Sequence, residues 1–184
     1  MKPWLLNILA CPIDKHHPLE AHFFEWLTTE TEIKIISKES GKINEDFIEE
    51  YKQLVKQIKD NTISFPSIRV ITDYTKSAHA ADLLNKAVDA GNKINGQKNL
   101  SQEKIIKNLP REIDILYRFL NLIEVKEGLL VCEECRRWYP IGRSVEGIPE
   151  LLPDDLRDKD EELEWLLKWE KKIPLNLSIK TLEH

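Results

Sequence analysis

The sequence has no apolar run of the roughly 20 residues needed to cross a bilayer, so nothing in it suggests a membrane protein. It has only 3 cysteines, an odd and low number that excludes the disulfide framework of a small secreted domain. It also lacks an excess of positive charge. The formal net charge is -5, which argues against a protein that grips nucleic acid by itself, because such binding rests on Lys and Arg contacts to phosphate. Arg136 and Arg137 are the only adjacent arginines, and two make a small patch. Internal repeats and low-complexity segments are missing too. The opening Met1 to Cys11 is apolar but short, is interrupted by Asn7, and is followed by no small-residue cleavage site. It reads as mature structure, and the protein as cytoplasmic. The closing Leu182-Glu183-His184 has the look of an expression-tag remnant.

What is present begins with Cys132-Glu133-Glu134-Cys135, a C-x2-C knuckle followed by Arg136-Arg137-Trp138-Tyr139-Pro140-Ile141. A tight turn at this spacing brings both sulfurs to one side, within reach of one metal ion. A structural zinc site wants four ligands in a tetrahedron, so two more must come from elsewhere. A redox pair is the competing reading, but redox C-x-x-C motifs usually open a helix, whereas Trp138 to Ile141 reads as a strand. The remaining cysteine lies far away, in Cys11-Pro12-Ile13-Asp14-Lys15-His16-His17. This resembles a looser knuckle, Cys-x4-His, with Pro and Asp to turn the chain. Neutral His is a good zinc ligand, and of the adjacent His16 and His17 either can face inward.

Along the chain, Leu5, Leu6 and Leu9 share one face of a short helix that ends at Cys11-Pro12. Residues 19–27 and 31–36 are rich in β-branched and aromatic residues and predict strands. Residues 44–60 predict a helix, with Phe47, Ile48, Tyr51, Leu54, Val55 and Ile58 in one apolar stripe. The stretch 61–75 is ambiguous between strand and helix. A helix over 77–90 is expected to stop at Gly91, and 91–99 reads as a linker. Helices follow from Ser101 to Leu109 and from Arg111 to Leu122. A hairpin turning at Lys126-Glu127-Gly128 leads into the knuckle. A strand over 136–141, an extended edge over 147–153 and a helix over 158–171 complete the chain.

These readings give an α+β fold. A small zinc-ribbon-like β domain is built from both chain ends (1–39 with 123–157), with a mainly helical insertion (40–122) and a C-terminal helical extension (158–181). The ion would close a very long loop. Zinc binding supplies folding free energy of order 10 kcal/mol in zinc peptides, which exceeds the slowly growing cost of loop closure.

The residues Leu5-Leu6-Asn7-Ile8-Leu9-Ala10-Cys11-Pro12, Leu129-Leu130-Val131-Cys132-Glu133-Glu134-Cys135, Arg137-Trp138-Tyr139-Pro140-Ile141 and Gly147-Ile148-Pro149-Glu150-Leu151-Leu152 together resemble the tRNA methyltransferase 112 family. Its members are small zinc-binding activator subunits of methyltransferases. The resemblance covers the two ends of the chain, and the middle only in position and helical character. It implies a structural zinc ion held by Cys11, His16, Cys132 and Cys135. His16 stands where the family has Cys, with His17 as the fallback. It implies no catalysis by this chain, and S-adenosylmethionine bound only on the partner. The partners would be class I S-adenosylmethionine-dependent methyltransferases acting on tRNA, ribosomal RNA or a translation release factor, each forming a heterodimer and meeting RNA only through the complex. Leu5, Leu6, Leu9, Trp138, Pro140, Ile141, Ile148, Leu151 and Leu152 are the candidate partner-binding residues, about half of them expected in the core. The alternative is a stand-alone zinc-ribbon module that binds nucleic acid. A hydrolase or redox enzyme is disfavoured because no nucleophile, base and orienting group can be picked out.

Overall fold

The computed structural model describes residues 1–63 and 65–172. The tag-like 182–184 and the end of the expected C-terminal extension, 173–181, lie outside the described residues.

A four-stranded sheet carries the fold. Strand β1 (Glu20–Trp26) pairs with β3 (Val125–Val131) antiparallel and with β2 (Ile71–Asp73) parallel, and β4 (Trp138–Ile141) pairs antiparallel with β3. The strand order is β2-β1-β3-β4. The central strands are covered on both faces, so their sequences are nearly continuous apolar runs rather than clean alternations. Three strands come from the two end segments. β2 comes from between them and extends the same sheet.

Among the described residues there are also α1 (Glu30–Glu39), α2 (Ile48–Lys59), α3 (Pro66–Arg69), α4 (Ala78–Gly96), α5 (Gln102–Asn108), α6 (Pro110–Asn121) and α7 (Lys159–Lys168). The expected short opening helix is a 3-10 helix, Pro3–Asn7. The predicted stripe of α2 is buried at Tyr51, Leu54, Val55 and Ile58.

Three expectations are corrected. The strand expected over 31–36 is helix α1. Its start is set by a capping box in which Thr29 accepts from the Glu32 backbone N–H and the Glu32 carboxylate accepts from the Thr29 N–H at 2.9 Å. That local bonding outweighs the β-branched composition of the segment. The hairpin expected around Lys126-Glu127-Gly128 is one continuous strand, β3. Gly128 serves a close approach rather than a turn, since a Cβ there would stand 2.7 Å from the His22 carbonyl oxygen. Helix α4 runs through Gly91 to Gly96, because Gly91 makes room for the Phe65 ring, which a Cβ would meet at 2.5 Å.

The sheet divides the apolar residues by the two-residue period of its strands. On one face, Phe23 and Leu130 join the main core with residues of α2, α4, α5 and α6. On the other, Phe24, Leu129, Val131 and Trp138 pack against Trp165, Leu166 and Trp169 of and beside α7.

One buried polar knot sits in the helical layer. Fully buried Asp114 accepts from Tyr51 Oη at 2.7 Å, from Arg118 Nε at 2.8 Å and from the Gly41 N–H at 2.7 Å. It thereby joins α2, α6 and the turn after α1. The neighbouring carboxylate and burial push the Tyr51 phenol up to about 12, burial contributing most. Asp114→Ala leaves the buried Arg118 unpaired and is expected to cost about 3–5 kcal/mol of stability. Tyr51→Phe is expected to cost about 1–2 kcal/mol. Urea unfolding of both variants checks the order.

Candidate metal centre

The pairing of β1 with β3 brings the segment before β1 beside the segment after β3. Cys11, Asp14, Cys132 and Cys135 meet there, with one ligand atom from each all within 4.8 Å of one another. Cys11 Sγ lies 3.6 Å from Cys135 Sγ, and Cys132 Sγ lies 3.3 Å from Asp14 Oδ2. Cys11 and Cys132 are fully buried, while Asp14 lies at the solvent side.

Two turns of the same construction hold these groups. The Cys11 N–H donates to the His16 carbonyl at 3.0 Å, and the Lys15 N–H to the Cys11 carbonyl at 3.0 Å. In the second turn the Cys132 N–H donates to the Arg137 carbonyl at 2.8 Å, and the Arg136 N–H to the Cys132 carbonyl at 3.0 Å. The residue after each second ligand position is left-handed, with φ of 64° at Lys15 and 61° at Arg136. Position by position, Cys11 corresponds to Cys132, Asp14 to Cys135 and His16 to Arg137. The two knuckles are therefore Cys-x2-Asp and Cys-x2-Cys.

This geometry separates the expected ligands. Cys11, Cys132 and Cys135 come together, and His16 is not in the cluster of four. The backbone carbonyl of His16 closes the first turn, and its Nδ1 stands 4.0 Å from Glu134 Oε1. His17 Nδ1 is bonded to the Leu9 carbonyl at 2.9 Å. The fourth member of the cluster is Asp14, because a turn of this kind presents its first and fourth residues on one side. The sequence reading used Asp14 only to turn the chain. The signal that could have found it is the equal spacing of Cys11 to Asp14 and Cys132 to Cys135.

The donor set suits a divalent ion of borderline softness, with three sulfurs and one carboxylate oxygen. The His16 backbone N–H, and then the Cys11 thiol, hold the Asp14 carboxyl well below the usual carboxylate range, so it is an anion at neutral pH. In the metal-free chain burial pushes the Cys132 thiol up to about 12. A bound cation reverses that preference, since a coordinating thiol is deprotonated. Two neighbouring groups face the sulfurs. Tyr139 Oη lies 3.1 Å from Cys11 Sγ and can donate to it once the sulfur is ionised. Arg137, beside Cys135, is gripped by Asp154 through Nε at 2.9 Å and Nη2 at 2.6 Å.

The candidate partner-binding residues divide by burial. Leu6, Trp138, Pro140 and Ile141 are buried within the chain, Leu5, Leu9, Leu151 and Leu152 are half-buried, and Ile148 is 52% exposed. Leu5, Leu9 and Leu151 pack on the main core. The loop 148–150 lies along the outer edge of β4, with Glu150 N–H donating to the Pro140 carbonyl at 2.8 Å. No helix among the described residues is long and apolar enough to cross a membrane.

Fold and cluster together define a small α+β protein whose two end segments meet at a four-residue site able to hold a metal ion. Residues 2–144 match the profile of the Trm112p-like protein family, and the chain belongs to that family. No curated protein matches the chain. Helix α7 lies beyond the matched residues.

The twin-knuckle geometry predicts which variants lose metal. Asp14→Ala is expected to lower metal content and affinity sharply, and His16→Ala to leave one ion per chain. Mass spectrometry of the native proteins checks both, and the reverse pattern would restore His16 as the ligand.

Proposed function

We propose that this chain is a non-catalytic activator subunit. It binds class I S-adenosylmethionine-dependent methyltransferases that act on tRNA, ribosomal RNA or a translation release factor, and it stabilises them in the cytoplasm. The observation that carries this reading is membership of the Trm112p-like family across residues 2–144, which include both knuckles. The family is one of methyltransferase activator subunits, and the cofactor belongs to the partner.

The ion at the knuckles is zinc with a structural role. Cys11, Asp14, Cys132 and Cys135 hold it, a full tetrahedral complement that leaves no open position for chemistry. It ties the segments 1–39 and 123–157 into one platform on which the helical insertion 40–122 is carried. Protons compete with it for the sulfurs, so affinity falls as the pH falls.

The working surface is apolar. Ile148, Leu151 and Leu152 lie on or beside the segment that pairs with the outer edge of β4, so a partner's strand is added on the far side of that segment through main-chain hydrogen bonds. Leu5 on the 3-10 helix and Leu9 just after it extend that surface. The buried Leu6, Pro140 and Ile141 support it from within.

Co-expression tests the proposal. Candidate methyltransferases from the same source are expected to be soluble, and to bind S-adenosylmethionine by calorimetry, only with this chain. Ile148→Asp is expected to weaken the complex at least about tenfold, the scale of an interface anchor, with little effect on the chain's own unfolding. Failure of every candidate to co-purify, together with salt-dependent RNA binding by the isolated chain, would replace this reading with a nucleic-acid-binding module.

A further inference from the structure

The sheet has a second apolar face that the family-matched residues build and, apart from Tyr74 packed beside Phe24, do not cover. Phe24, Leu129, Val131 and Trp138 form it, and all four lie within residues 2–144. What covers it is α7, reached through the connection after β4 and lying outside the match.

The contact is specific. Trp169 stacks on Phe24 with ring centroids 5.2 Å apart, and Leu166 is fully buried. Glu127, a carboxylate on this face exposed by only 7%, accepts from Trp169 Nε1 at 2.8 Å and from Lys168 Nζ at 2.7 Å. The face thus selects a helix by two features: apolar and aromatic side chains one turn apart, and a cation with an N–H donor aimed at Glu127.

The contact is also incomplete. Trp165 Nε1 is buried beneath α7 with no hydrogen-bond partner among the described residues. On β1 of the same face, buried His22 makes no hydrogen bond through either ring nitrogen, and its Nε2 stands 3.7 Å from Glu20 Oε2. Burying such groups unsatisfied costs stability that a better-matched occupant would not lose. The outer side of α7 keeps Leu163 and Leu167 exposed at 39% and 51%, so the helix is apolar on two sides and buries only one of them here.

We propose that α7 is a detachable cover, holding in the free chain the sheet face that an amphipathic helix of the methyltransferase takes in the complex. The inference rests on the methyltransferase reading above and names a surface that reading does not use. The incoming helix brings apolar residues to Phe24, Leu129, Val131 and Trp138 and a Lys or Arg to Glu127. Displaced, α7 stays tethered through the connection that follows β4. Because the face is open in only a fraction of free molecules, the cover lowers apparent affinity by that fraction.

Two measurements on the full chain test this. In hydrogen exchange, the α7 amides of the free chain are expected to exchange at least about a hundredfold faster than those of β3, as expected for a locally opening segment. They are expected to lose protection further in the methyltransferase complex while β3 and β4 gain it. In binding, Leu166→Asp and the milder surface change Lys168→Glu, which sets a carboxylate against Glu127, are both expected to tighten methyltransferase binding about tenfold. Urea unfolding of the rest of the chain confirms that each variant is folded. An α7 as protected as β3, an α7 that stays protected in the complex, or unchanged or weaker binding by folded Lys168→Glu would each overturn the proposal. A chain that opens α7 readily yet binds no methyltransferase, with or without the cover, would refute the functional reading and with it the occupant named here.

Discussion

The pairing of β1 with β3 is the constraint on which the rest of the molecule depends. Ala21 opposite Leu130 and His22 opposite Leu129 bring together parts of the chain about a hundred residues apart, and both knuckles follow from that register. A slip of one residue would exchange the two faces of the sheet, sending Phe23 to the α7 side and Phe24 into the main core. Met1 strengthens the same junction by exchanging backbone hydrogen bonds with Val125, 2.6 Å and 2.7 Å long. The loop so closed is long, but closure cost grows only as the logarithm of length. The sheet and the four-residue cluster hold the same two segments side by side.

The cluster shows how little sequence is needed to gather four possible metal ligands once the backbone is set. Each knuckle is one turn with one left-handed residue and two backbone hydrogen bonds. Repeating that turn on two segments places four donor atoms together without help from the helical layer. The groups around them answer the charge the donors carry. Tyr139 reaches Cys11 from β4, and Arg137 stands beside Cys135 while Asp154 holds it from the loop before α7.

The two faces of the sheet have different standing. The face toward the helices is part of one continuous core that includes residues from both end segments and from the insertion. The other face holds a smaller cluster closed by a single helix that the family match does not include. Trp138, which by its place after the knuckle looked like a partner-binding residue, is buried under that helix. Its exposure depends on α7 rather than on the sheet that carries it.

The sequence by itself determined the family of the protein, and it singled out three of the four residues that cluster in the structure. The Cys132-x2-Cys135 pair and the distant Cys11 sufficed to infer a metal site joining both ends, because thiol spacing is local chemistry. The apolar stripes of α2 and α6 were legible because amphipathic periodicity is also local. Tertiary structure decided the rest. Thr29 and Glu32 made a helix of a β-branched segment, the crowding of strand β1 put Gly128 inside β3, and the Phe65 ring explained Gly91 inside α4. It also decided the fourth member of the cluster. Asp14 and His16 are both plausible ligands by composition, and only the path of the backbone, with the His16 carbonyl closing the turn, shows that the carboxylate rather than the imidazole stands beside the three sulfurs.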